Sequence, residues 1–299
     1  MVSPVALRRM IALRNWLPED ERHLLDGAIR QCRLKQVECA QWPERIVEDI
    51  IVSNIDGVGA QSVFTVSKDG RKRQLANLLV KRDVGIADAW CVRDQTKGEV
   101  KSILEKVNSE TDSHNVDPEF LHILVPHYLA VGLKNDAVPI PGFLEFIESV
   151  GIEKWQPNEC DNEDLATLIE SSIAPSRIQP KAVTKVIKES ADWIDELDFL
   201  DSWFEDNAEV DQILFDASMS DVPQKVDEII KLVLESRRAI WAEQFLWTAL
   251  WLKESQGLLS PWVEFFIIGR ELNNGRPIIE IPIMRGIAET TVLAKMAPY

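Results

Sequence analysis

The sequence predicts an α+β protein, predominantly α-helical: a multi-helix bundle with one small antiparallel sheet in its N-terminal third. Three observations lead there. Residues 237–253 (RRAIWAEQFLWTALWLK) are apolar around nearly the whole helical circumference, as expected of a helix in the middle of a protein. Between residues 46 and 93 the residues with high strand propensity gather around an Asp69-Gly70 turn. From Lys97 onward the apolar residues recur at helical spacing.

In chain order, residues 4–16 fit a short helix. Pro18 followed by Glu19, Asp20 and Glu21 suits a helix start, and Leu24, Leu25, Ala28, Ile29 and Cys32 then hold one face to about Glu38. Trp42-Pro43 interrupts. Ile50-Ile51-Val52 and Val63 to Val66 read as strands, and the Asp69-Gly70 pair suits two adjacent left-handed positions in a tight hairpin. Residues 74–80 (QLANLLV) fit either a return strand or a short helix, since an apolar run of that length does not separate the two. Ala89 to Val92 reads as a further strand. Three or four strands are expected, covered on one face by helices.

Helices then follow from Lys97, from Pro118 to Leu133, and from Phe143 to Val150, where Gly151 stops the last. The polar segment 109–119 between the first two reads as a loop. Further helices are expected at 163–171, 181–195, 198–215, 223–236, in the 237–253 core helix, at 261–272 and at 284–296. Ala239 to Leu252 would rise ~21 Å, short of the ~20 residues that span a bilayer.

The chain has 299 residues, 45% of them hydrophobic, with ten tryptophans, so it can bury a sizeable core of one or two domains. Its charge divides unevenly. Residues 1–110 hold 18 Lys/Arg against 16 Asp/Glu, and residues 111–299 hold 15 against 33. The expected division is a helix-plus-sheet region at 1–110 and an acidic all-helical region at 111–299, which one continuous domain could also contain. A net charge of −16 disfavours nucleic acid and anionic membrane. Cys32, Cys39, Cys91 and Cys160 form no CxxC pair, and the N-terminus shows no signal-peptide core. Reduced thiols and a soluble cytoplasmic location are expected.

Four features compete for a functional role. Asp56-Gly57-Val58-Gly59-Ala60-Gln61-Ser62 contains GxG, yet it lacks the third glycine of a dinucleotide fingerprint and the GK[ST] of a P-loop. A strand follows it where a phosphate cradle needs a helix. A tight connection between strands accounts for it better. Lys68, Arg71, Lys72, Arg73, Lys81 and Arg82 should crown the hairpin tip, as a guarded sheet edge or as a basic ribbon tip that contacts a partner's phosphates. The third feature is acidic. Residues 189–224 hold 12 Asp/Glu and no Lys or Arg, with Trp193, Phe199, Trp203, Phe204 and Phe215 interleaved. Asp195, Asp198, Asp201 and Glu205 would share one side of a helix or helix pair, as a solvated face or as a docking face for a basic partner. The basic tip and this face are expected to attract, within one chain or between two. Lastly, Cys91 sits between Asp88 and Asp94, which disfavour a thiolate.

His122 and His127 are poorly spaced as joint ligands, and no HExxH, GxSxG or calcium-loop pattern occurs, so no metal and no cofactor is expected. The sequence points to a non-enzymatic interaction or regulatory protein with a protein partner or self-association. The alternative is an enzyme with a carboxylate-lined, magnesium-dependent site in a helical cleft. A deep pocket of unpaired acids would favour the enzyme; an apolar patch rimmed by charge would favour the partner protein.

Overall fold

The computed structural model describes residues 3–151, 155–256 and 261–296, and the fold is α+β and mostly helical. Two compact units divide it: residues 1–53 with 60–159, and residues 54–59 with 160–299.

The first unit opens with α1 (Pro4–Asn15), capped by the Ser3 hydroxyl on the Ala6 amide, and α2 (His23–Leu34). The second helix starts at His23, not at Pro18. Leu7, Ile29 and Cys32 are buried between the two helices, so packing sets the boundary where the acidic turn alone suggested an earlier one. The strands β1 (Ile46–Ser53), β2 (Ala60–Asp69), β3 (Lys72–Lys81) and β4 (Gly85–Gln95) form an antiparallel meander. Residues 74–80 are thus strand. Asp69 pairs with Lys72, so the hairpin turn is Gly70-Arg71, and Gly70 alone takes a positive φ. Glycine first is the type II′ pattern, in place of the two left-handed positions expected at Asp69-Gly70.

After α3 (Lys97–Glu110), entered through a capping box on Thr96 and Glu99, a short β5 (Ser113–Asn115) pairs with β1. The sheet order is β4-β3-β2-β1-β5. That fifth strand lies in the segment expected to be a loop; three polar residues carry no strand signal, and only pairing with Ile51, Val52 and Ser53 makes them one. Two helices complete this unit, α4 (Pro118–Lys134) and α5 (Pro141–Val150), the latter ended by Gly151 in the left-handed region.

Helices cover both faces of the sheet, where one was expected. Phe64, Val66 and Leu75 meet Val100 of α3, whereas the alternate residues Val63, Ala76 and Leu78 are buried as well, and α5 packs against β2, β3 and β4. Burial at consecutive positions of β3 is the mark of a strand covered twice. α5 comes very close to the sheet at Gly142, where a Cβ would lie 1.9 Å from the Ala89 carbonyl oxygen. Because α4 and α5 pack on β4, this unit runs to Glu159 and not to residue 110.

The second unit is helical. Its elements are α6 (Asn162–Glu170), α7 (Pro180–Glu189), α8 (Trp193–Glu196), α9 (Ala208–Leu214), α10 (Val222–Glu228), α11 (Arg238–Glu254), α12 (Trp262–Asn273) and α13 (Pro282–Met296). A π-helical stretch, Ile229–Leu234, continues α10. The expected core helix is α11, where Leu246 and Trp247 are buried. Around it Trp203, Trp241, Phe245 and Phe265 meet at ring-centroid distances of 5.0–6.1 Å. Gly269 lets α12 pack closely, since a Cβ there would come within 2.9 Å of Leu246. The charge contrast follows these units too. The first holds 20 Lys/Arg against 23 Asp/Glu and the second 13 against 26.

Candidate functional site

Asp56 organises the glycine loop. Its Oδ1 accepts from the Val58 amide at 3.0 Å and its carbonyl from the Gly59 amide at 2.9 Å. The same carbonyl accepts from Gln244 Nε2 at 2.7 Å. Gly57 is pressed to the backbone of residue 202, so that a Cβ would lie 1.9 Å from the Ser202 oxygen, and Gly59 has φ 74°. Gln61 Nε2 donates to the Ser53 carbonyl at 2.8 Å, and the Ser62 amide to Ser53 Oγ at 3.0 Å. The amides a phosphate would need at Val58 and Gly59 already close the loop on Asp56.

The six cations do not form one patch. Lys72 and Lys81 stand at opposite ends of β3, about 30 Å apart at ~3.4 Å per residue. Lys68, Arg71 and Lys72 are exposed at the tip, while Arg73 is held by Glu48 at 2.7 Å. Lys81 and Arg82 sit at the far end beside the β3–β4 turn. The sequence put them together because they are close along the chain, and a ten-residue strand carries them apart.

The acidic stretch is not a helix pair either. It runs as a 3₁₀ turn (Ser190–Asp192), α8, a second 3₁₀ turn (Asp198–Leu200), an irregular segment, and α9, which starts at an Asn207 cap on the Glu209 and Val210 amides. Its aromatics break the helical repeat because they are fixed in the core. Trp193 and Trp203 are buried, and Trp203 Nε1 donates to the Ile55 carbonyl at 2.9 Å. Glu205 is buried as well. Its carboxylate accepts from Arg237 Nε at 2.7 Å, from Trp241 Nε1 at 2.9 Å and from Asn207 Nδ2 at 3.0 Å. These three side chains hold the fold and offer no surface. Asp195, Asp198 and Asp201 are exposed.

What the stretch presents outward lies further on. Phe215 is 78% exposed and Met219 67%, on the turn between α9 and α10, and Leu232 on the π-helical stretch is 53% exposed. α9 packs against both that stretch and α10. Acids flank the turn along the chain: Asp206, Asp211, Asp216 and Asp221. Asp206 and Asp211 share Lys295, the latter at 2.8 Å, and these bonds raise the lysine's pKa. Hydrogen bonds from the Ser218 hydroxyl and amide hold the Asp221 carboxyl below its usual range; Lys225 and Gln224 do the same for Glu228. Both carboxyls are thus biased toward the charged form by their neighbours. Phe215 is one of the aromatics interleaved in the acidic stretch, and it faces out where Trp193 and Trp203 are buried.

Cys91 and Cys160 are disfavoured as thiolates, for reasons partly different from those expected. Burial first of all pushes the Cys91 thiol up, partly offset by a hydrogen bond from Gln74; Asp88 and Asp94 are not among the causes. Burial, then Asp164 and Asp161, pushes Cys160 up to about 11. Among the described residues no group of three or more His, Cys, Asp or Glu could hold a metal ion, and no helix is long and apolar enough to cross a membrane.

Sequence comparison matches three stretches of the chain. Residues 163–296 match the Y4lR C-terminal helical domain, and residues 1–36 match the Y4lR second domain. The chain is similar to Y4lR. Residues 43–157, the sheet with the helices on it, match a domain of unknown function, DUF7401. The uncharacterized protein y4lR of Sinorhizobium fredii is 32% identical over 302 residues, covering 97% of this chain and 56% of that relative. The chain thus spans about half the length of the curated relative it matches. No solved structure matches.

Proposed function

We propose that the protein is a non-enzymatic interaction protein, and that the turn bearing Phe215 and Met219 docks a basic, partly apolar segment of another protein. One observation carries this. Two large apolar side chains project into solvent from a stretch of 12 acids without a single Lys or Arg between residues 189 and 224. An apolar anchor on an acid-rich stretch suits a partner whose cations meet the exposed carboxylates while its aliphatic side chains cover Phe215 and Met219.

The acids of the fold support the same reading over acid/base chemistry. Among the described residues, every carboxylate with a displaced pKa is displaced downward by hydrogen-bonded neighbours: Asp26, Glu99, Glu148, Asp221 and Glu228. A general acid at neutral pH needs displacement the other way.

The test is a titration of a fluorescent synthetic helix of alternating leucine and lysine pairs, followed by anisotropy. Phe215 is exposed, so Phe215→Ser should change stability by no more than about 0.5 kcal/mol. It should weaken peptide binding roughly tenfold or more, the loss of an anchor worth over 1 kcal/mol. Binding by the variant equal to that of the parent, or none by either, would discard this docking face.

A further inference from the structure

A second surface lies in the first unit, on α2. The buried face of this helix, Ile29 and Cys32, meets Leu7 of α1. Turned from it is a strip without charge. Leu24, Gly27, Ala28, Gln31 and Leu34 fall within about 120° of one another on a helical wheel of ~100° per residue. All five are exposed, Leu24 by 63% and Leu34 by 68%.

Gly27 is the unusual member. Glycine inside a helix costs stability relative to alanine, and a Cβ at Gly27 would meet nothing within 4 Å. Packing within the chain therefore does not call for glycine there. Bare backbone between two leucines does suit the close approach of another helix.

Turned antiparallel, the strip matches itself. Leu24 and Leu34 lie at equal distances either side of Ile29 along the helix. A twofold pairing about that level sets Leu24 of one copy against Leu34 of the other, and Gly27 against Gln31. The flanking charges agree with this arrangement. On one flank Arg30 of one copy comes within about one turn, ~5.4 Å along the axis, of Asp26 of the other; Lys35 and Glu21 meet likewise on the second flank. Asp26 is already steadied by Arg14. A parallel pair would instead set each of these charges against its own kind.

From this self-complementarity we infer that the exposed face of α2 binds a second copy of the chain as an antiparallel helix pair. The helix has 12 residues, about 18 Å at 1.5 Å per residue, so the contact falls in the small, transient class of interfaces. The face shares no residue with the Phe215 turn and is independent of it.

Sedimentation velocity of the full chain at low salt, from roughly 10 μM to 1 mM, is the test. The parent should pass from monomer to dimer over that range, and Phe215→Ser should do the same. Gly27→Gln places bulk between the leucines in space that is open within the chain, and exchanges glycine for a better helix former. It should melt at or above the parent's Tm and associate at least roughly tenfold more weakly. Lys35→Glu should weaken association about threefold by facing Glu21 of the other copy, and adding Glu21→Lys should restore it. The inference fails if the parent stays monomeric to millimolar concentration, if Gly27→Gln associates as the parent does, or if Glu21→Lys leaves the loss from Lys35→Glu unrepaired.

Discussion

Glu148 shows how much one side chain can be made to hold. Burial pushes its carboxyl up, but hydrogen bonds from Arg9 and Arg8 together pull it further down, and the net displacement is downward. A depressed carboxylate contributes stability above its unfolded pKa, and that contribution is lost as pH falls through the folded value. Stability should therefore decline below about pH 4, the ordinary carboxylate range. Glu148→Gln should flatten this acid limb. At neutral pH it should cost roughly 3 kcal/mol, the low end for breaking a buried pair, because Arg9 is partly exposed. Urea denaturation midpoints of the parent and variant across a pH series check both effects. At Gly57 the constraint is steric. Alanine there meets the Ser202 carbonyl oxygen and should cost about 1–3 kcal/mol, the range for overpacking. Gly59→Ala should cost about 1 kcal/mol through its positive φ. Thermal melts that leave either variant at the parent's Tm would show that loop to be more pliant than its hydrogen bonds imply.

At the scale of elements, α11 carries the second unit. Leu246 is fully buried with Phe245 and Trp247 beside it, so Leu246→Asp would bury a charge without a partner. A cost of at least ~4 kcal/mol is expected, enough to unfold a marginal domain. A soluble variant with an unchanged melting curve would contradict that placement. This helix was legible because its residues are apolar at every angle, a pattern that needs no tertiary knowledge. The same holds for β2 and for the Gly151 stop of α5. Where the sequence misled, the cause was a contact distant along the chain. β5 exists through β1, and the acidic stretch abandons the helical repeat because Trp193, Trp203 and Glu205 each have a fixed partner elsewhere in the second unit. Spacing along a helix places carboxylates on one side only if the helix forms. The candidate site was legible in composition, as acids with aromatics, but not in which aromatic faces out. Arg8, Arg9 and Glu148 left no sequence signal, since 139 or more residues separate the carboxylate from its arginines.

For the whole molecule, the question is where its charge acts. The second unit, with 26 acids against 13 cations, carries most of the excess, and residues 189–224 concentrate it. Exposed pairs contribute only ~0–1 kcal/mol each, so recognition of the acidic rim requires several contacts at once. Such contacts weaken as the screening length falls from ~10 Å at 0.1 M salt to ~3 Å at 1 M. Docking of the leucine–lysine helix should therefore weaken steeply over that range, while the apolar share contributed by Phe215 persists. This chain also carries cations of its own at Lys68, Arg71 and Lys72, so a second copy could occupy the rim. The double variant Arg71→Glu, Lys72→Glu separates the two cases and leaves the Arg73–Glu48 pair intact. With a foreign partner, the variant should bind the peptide as the parent does and sediment identically at every salt concentration. A parent that sediments as a salt-sensitive dimer, and a variant that does not, would instead identify the occupant of the acidic rim as another molecule of this chain.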